Sequence, residues 1–327
     1  MNESEKEMVA QHLVGLDYPQ TYREFMKRFR DEASCARYLE HLRWPSGFVC
    51  PACKTKVTPW RQTRNRLVCP GCRHQASVTG GTIFEKTRTP LTIWFQAGWQ
   101  VTTAKNGLSA KTLERTLSTS YRTAWVMLQR FRVAMVRTER EQLSGEVEID
   151  ESLVGGVKRG GKRGRGTTKS IVVIAVELKA PMGFGRIRMR HIPDAAGANL
   201  IHFVCDVVTP GAVVRTDGWS GYSDLPKHGY THHKTMLSST GDPAHVSLPG
   251  VHRVASLLKR WILGTHQGSV VPAHLQSYLE EFTFRFNRRT SRSRGLVFQR
   301  LLEQAVASGP VTDAAVKDGY DWKEHNM

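Results

Sequence analysis

Residues Glu146–Leu178 read EVEIDESLVGGVKRGGKRGRGTTKSIVVIAVEL. A short apolar run reaches a carboxylate at Asp150. The chain then enters the loop GVKRGGKRGRGTTK (156–169), with five glycines and six cations, Lys158, Arg159, Lys162, Arg163, Arg165 and Lys169, before a second β-branched run. Two such runs around a glycine-rich tip predict a β-hairpin. A core strand has no need of the acid, and a plain solvated loop has no need of so many cations. The combination points to a metal-binding carboxylate beside a phosphate-rich ligand, with backbone phosphate as the loop's target. A solvated charged loop is the alternative.

Downstream, RIRMRHI and AVVRTDG read as further strands, and ANLIHFVCDVV between them as a helix carrying a core cysteine, Cys205. Three strands, a helix, a fourth strand and then helices describe an α/β domain. Asp217 follows VVRT and precedes GWSGY, so two acids end strands in a similar way. Either acid alone is equally well a turn-capping aspartate. In adjacent strands two carboxylates repel unless a cation lies between them. Oxygen ligands of this kind suit Mg²⁺ or Mn²⁺. Ions held there can activate an attacking hydroxyl and stabilise the leaving oxygen of a phosphodiester.

The stretch PGVHRVASLLKRWILGTHQG offers a third ligand. Val251, Val254, Leu257, Leu258, Trp261 and Ile262 form its apolar stripe, and His252, Ser256 and Lys259 fall on another face. His252 is the candidate ligand and Lys259, with Arg260, a candidate phosphate contact. Asp242, Glu280 and Glu281 are rival ligands, and a surface histidine is the plainer reading. Residues Ala273–Gly295 predict one more helix, with Leu275, Tyr278, Leu279, Phe282 and Phe286 inward. Its basic exit includes Arg288 and Arg289, candidate DNA contacts or simply a solvated face.

Upstream, Cys50, Cys53, Cys69 and Cys72 form two CxxC pairs separated by fifteen residues. Each pair makes a knuckle, and the hairpin between them closes a tetrahedron of thiolates, the pattern of a structural zinc ribbon. Pro51 and Pro70-Gly71 are suitable turn residues for the knuckles. The hairpin's Lys54, Lys56, Arg61, Arg64 and Arg66 give it a basic surface. Tyr22–Leu42 carries apolar residues at helical spacing, with Cys35 as a buried small residue, and ends at Trp44-Pro45.

Residues Pro90–Arg137 predict helices throughout. Ser109 is the expected cap of Ala110–Leu117, and Ser118 or Ser120 that of Tyr121–Val136. Helix, short turn and helix make a helix-turn-helix, with plain packing as the alternative; Arg115, Arg122, Arg130 and Arg132 favour DNA.

Composition agrees. The chain has 327 residues, 40% of them hydrophobic, and a net charge of +18. That excess calls for a polyanion, nucleic acid before an anionic membrane. No apolar run reaches the ~18–20 residues that span a bilayer. The polar start MNESEKEM reads as no export signal. The expectation is a cytoplasmic, nucleoid-associated protein with no membrane partner.

Taken together, these motifs resemble the transposases of bacterial insertion sequences in the fifteen-ninety-five group, with an ISXO-like integrase domain. CPAC…CPGC is similar to that family's zinc ribbon, and GLSAKTLERTLSTSYRTAWVMLQRFR to its helix-turn-helix. VEIDESLVGG and VRTDGWSGY are similar to the segments holding its first two catalytic aspartates, and HRVASLLKRWILGTHQG and HLQSYLEEFTFRFNRR to its closing segments. The resemblance implies an RNase H-like fold and DDE-type chemistry with Mg²⁺. Element ends are nicked by water, and the freed 3′ hydroxyl attacks target DNA. Asp150 and Asp217 carry over directly. The third family position, seven residues before Lys259, is often Glu or Asn; here it is His252.

The implied organisation is an N-terminal helical region (1–46), a zinc ribbon (47–84), a helix-turn-helix region (85–142), a catalytic domain (143–305) and a polar tail (306–327). The implied partner is double-stranded DNA, both terminal inverted repeats and target, bound by a homodimer or higher oligomer. Rival readings are a catalytically inactive DNA-binding regulator and a nuclease that cuts without joining.

Overall fold

The computed structural model describes residues 18–137, 140–155, 169–181, 183–235, 248–268 and 270–319. Lys158, Arg159, Lys162, Arg163, Arg165 and Asp242 lie outside them. In chain order the main elements are α1 (Tyr22–Arg28), α2 (Glu32–Arg43), β1 (Trp60–Gln62), β2 (Arg66–Val68), β3 (Gln75–Ser77), α3 (Leu91–Thr103), α4 (Ala110–Leu117) and α5 (Tyr121–Ala134). Then come β4 (Glu146–Val154), β5 (Ser170–Leu178), β6 (Phe184–Ile192), α6 (Gly197–Val207), β7 (Val213–Asp217), β8 (Thr231–Thr235), α7 (Pro249–His266), α8 (Pro272–Asn287), α9 (Arg294–Ala307) and α10 (Asp313–Asp318). The chain divides into two compact units, Met1–Arg137 with Thr290–Lys317, and Thr138–Arg289 with Asp318–Met327.

In the first unit, side chains fix where helices start. Asp31 and Ser34 form a reciprocal capping box on α2. Ser109 and Ser120 accept from the third amides of α4 and α5. Ser118, the other candidate cap for α5, instead ends α4 in the left-handed conformation at φ 51°. Trp44 follows the last residue of α2, where Trp44-Pro45 implied a stop. The ribbon's three short strands pair antiparallel in the order β1-β2-β3.

The core of this unit is an aromatic cluster. Phe298 of α9 lies within 6 Å, centroid to centroid, of Phe25, Phe29, Phe95 and Trp99. Edge-to-face contacts of this kind add to area burial. Phe298→Ala leaves a void that four rings cannot fill, so chemical denaturation of the full chain should show a loss of about 3–5 kcal/mol.

Two of the arginines taken to favour DNA are structural. Arg132 is 1% exposed. Arg130 donates to the carbonyls of Ile83 and Glu85 and pairs with Asp313 at 3.4 Å. Arg115 is exposed, and Arg122 reaches Asp313 at 3.6 Å.

The second unit is built on a mixed five-stranded sheet, order β6-β5-β4-β7-β8. β4, β5 and β6 pair antiparallel, whereas β4–β7 and β7–β8 are parallel. α6 supplies the crossover that parallel pairing of β7 requires. Strand alternation divides the side chains between two faces. Val147, Ile149, Val173, Ala175 and Val214 pack with α6 residues such as Leu200 and Phe203. On the other face Val172, Ile174, Val176 and Ile187 pack with Val251, Val254 and Leu258 of α7 and with Leu275, Leu279 and Phe282 of α8.

Three sequence expectations change here. Strand β8, with the polar sequence THHKT, has no apolar alternation to announce it and was not expected. Helix α8 ends at Asn287 instead of running to Gly295. The basic, polar stretch after it hides the break, and Ser293 then caps α9 as a separate helix. Thr290–Lys317, and with it α9, falls in the first unit, whereas the sequence reading ran the catalytic domain to 305.

Candidate active site and zinc centre

The sheet register brings the two aspartates level. Glu146, Val147 and Glu148 of β4 lie opposite Val213, Val214 and Arg215 of β7. The pairing ends there; continued two residues along both strands, that register leads to Asp150 on β4 and Asp217 on β7. Both belong to the face covered by α7 and α8, since Ile149 and Val214 belong to the other. Adjacent strands lie ~4.8 Å apart, so residues at matching places on them come within side-chain reach. Asp217 does end its strand. Asp150 does not, because Glu151–Val154 continue to pair with Val173–Ser170 of β5.

Backbone amides orient each acid. The amide of Glu151 donates to Asp150 Oδ1 at 2.8 Å, and the amide of Trp219 donates to Asp217 Oδ1 at 3.0 Å. Asp150 is largely covered, its side chain 16% exposed, and its Oδ2 lies 3.9 Å from His252 Nε2 on the first turns of α7. His252 thus reaches Asp150, on the helix face away from the stripe formed by Val251, Val254 and Leu258. Two turns on, Lys259 points to the same side. Desolvation lowers the pKa of its ammonium group, the charge of Lys169 adds to that, and Asp150 opposes both.

Two further acids on β4 flank Asp150. Glu148, on the same face, is 1% exposed. It accepts from the amide of Val251 at 3.0 Å and also from that of Gly250, while its Oε1 is buried without a partner. Burial raises its pKa, against the pull of those amides and of Arg215. Glu151, on the opposite face, accepts from the hydroxyl of the buried Tyr222 at 2.6 Å. Burial, and then the negative charge of Glu151, push the Tyr222 phenol well above its ordinary range. Sequence reasoning singled out none of these three. The signal was present in the crowding of acids at 148, 150 and 151 within one apolar strand.

The other candidates fall elsewhere. Glu280, a rival ligand, is held by Arg140 at 2.7 Å and by Gln276 at 2.9 Å. Glu281 is buried within α8. Arg289 donates to the carbonyls of Phe184, Gly185 and Phe286, tying the end of α8 to β6. Arg288 stacks 3.9 Å from the Phe284 ring centroid. Arg260 is exposed on α7.

In the first unit, the ribbon gathers Cys50, Cys53, Cys69 and Cys72 with all four sulfurs within 4.8 Å of one another. Cys50–Cys72 and Cys53–Cys69 sulfurs are 3.6 and 3.7 Å apart. A tetrahedron of thiolates with Zn–S near 2.3 Å has edges of about 3.8 Å. The donors therefore fit zinc, and they leave no open position for a substrate. Among the described residues this is the only group of three or more His, Cys, Asp or Glu that closes so tightly. Asp150, Asp217 and His252 do not close to that degree.

The mixed sheet and the four-cysteine ribbon each fall within a segment that matches a known transposase domain. Residues 142–287 match the ISXO2-like transposase domain, and residues 30–75 match the transposase zinc-ribbon domain. Both matched segments are thus domains of insertion-sequence transposases. It is 28% identical over 301 residues to an uncharacterized protein in transposable element ISH50 of Halobacterium salinarum, covering 86% of this chain and 99% of that one. The catalytic core domain of BIV integrase is similar at 15% identity with a TM-score of 0.32, over 46% of this chain and 89% of that one. Among the described residues no helix is long and apolar enough to cross a membrane.

Proposed function

We propose that this transposase binds the terminal repeats of its element and catalyses metal-dependent strand cleavage and strand transfer, with Asp150 and Asp217 holding the ions. The register of Asp150 with Asp217 on one sheet face carries the reading. Paired carboxylates with an imidazole alongside are hard donors that suit Mg²⁺ or Mn²⁺. Bound there, the ion would polarise the phosphodiester and lower the pKa of an attacking water or 3′ hydroxyl. The amides of Glu151 and Trp219 hold the two carboxylates in orientation. Lys259 sits at the edge of the same face, positioned to take a phosphate oxygen of the strand being cut. The ribbon, the α4–α5 pair and the cationic loop supply the DNA contacts, and synapsis of two ends calls for at least a dimer.

A supercoiled plasmid carrying the element ends tests this. The purified chain with Mg²⁺ should release 3′ hydroxyl ends and join them to target DNA. Nicks without joined products would favour a plain nuclease, and end binding without nicks a regulator. His252→Ala separates the third ligand from the pair. Loss of an imidazole ligand should reduce Mn²⁺-dependent cleavage by about 10- to 100-fold, the range for supporting metal-site groups. Unchanged cleavage would remove His252 from the site.

A further inference from the structure

We propose that Glu148 and Glu151 are positioning residues, each tying to β4 the segment that brings one partner to Asp150. The proposal rests on the site reading above and adds to it how the site is held together.

Glu148 docks the N-terminus of α7. That helix begins at Pro249 with no side-chain cap of its own. The first turn of a helix presents unpaired amides and a positive dipole end, which a carboxylate satisfies. Glu148 fills that role from a neighbouring strand, through the amides of Gly250 and Val251. Its place is tight: a Cβ on Gly250 would lie 2.8 Å from Glu148 Oε2 and 3.2 Å from the Phe184 ring. Only a glycine lets the helix come this close. His252 follows one residue after the docked amide and reaches Asp150 at 3.9 Å.

Glu151 holds the turn after Asp217. Tyr222 lies five residues beyond that acid, fully buried, with its hydroxyl on Glu151. Between them Trp219 donates its amide to Asp217 and its indole N–H to the carbonyl of Ala195 at 3.1 Å. The strand bearing Asp150 therefore grips the Asp217 turn on one face and the His252 helix on the other. Supporting groups of this kind typically change metal affinity by about 10- to 100-fold.

The test uses the zinc-loaded full chain, with Mn²⁺ as the probe, read by electron paramagnetic resonance. Tyr222→Phe removes a single hydroxyl, Gly250→Ala forces the helix off Glu148, and Glu148→Ala removes the carboxylate. Each should weaken Mn²⁺ binding by about 10-fold or more, and Glu148→Gln, which keeps an acceptor oxygen, should recover part of the loss. Amide hydrogen exchange without Mn²⁺ should speed up in Pro249–Ala255 for the Glu148 and Gly250 variants, and in Asp217–Tyr222 for Tyr222→Phe. Should the wild type bind Mn²⁺ and Asp150→Asn not, while all of these variants bind like wild type, the positioning role is overturned and the site reading stands. A wild-type chain with no Mn²⁺ affinity overturns both.

Discussion

Asp150→Ala and Asp217→Ala should each abolish strand cleavage in the plasmid assay while leaving the fold intact. Charge stabilisation by a bound ion is worth several kcal/mol, and each 1.36 kcal/mol is tenfold in rate, so the loss should be at least about 10³-fold. The effect on stability runs the other way. Asp150 and Asp217 lie two residues beyond the last pair of the adjacent strands β4 and β7, with buried Glu148 two residues from Asp150. Without an ion these acids repel. Removing either aspartate relieves that repulsion, so the metal-free variant should melt at the same temperature as the wild type or above it. Adding Mg²⁺ should stabilise the wild type and not the variants, because only a chain that binds the ion gains from it. A variant that melts lower and cuts normally would contradict both halves of the argument.

Loss of zinc should have the second large effect, confined to the ribbon. Its strands are three residues each, and β1 is exposed throughout. Its buried apolar residues are few, Phe48, Leu67, Val68, Ala76 and Val78 among them. A core of that size cannot offset the entropy of ordering the segment, whereas a structural zinc site supplies on the order of 10–16 kcal/mol. Cys69→Ala replaces a buried ligand, so the bound zinc should be lost. Hydrogen exchange across residues 47–78 should then rise to unfolded rates. The sheet β4–β8 has its own core on both faces and should keep its protection. Protection of the ribbon that survives removal of the metal would show that packing alone holds it.

Much of this architecture was legible because it repeats simple chemistry. The CxxC spacing announced four converging thiolates, and the β-branched runs around the cationic loop announced β4 and β5. The apolar stripe of α7 put His252 and Lys259 on its other face without reference to any partner. What stayed hidden depends on tertiary context. β8 is polar because it is a short edge strand, so alternation could not reveal it. Arg130, Arg132 and Arg289 read as DNA contacts from charge alone, but their donors serve backbone carbonyls or lie buried. Glu148 looked like one more strand residue, because its role depends on a helix start about a hundred residues further along the chain. The break after Asn287 was masked by a continuous run of polar and basic residues.

The central claim is that Asp150 and Asp217 share a divalent ion. Crystals grown with Mn²⁺ and measured at its absorption edge would test it most directly. The account predicts an anomalous peak about 2.0–2.3 Å from a carboxylate oxygen of each aspartate. A chain that shows its zinc signal but no peak between these two side chains would contradict it.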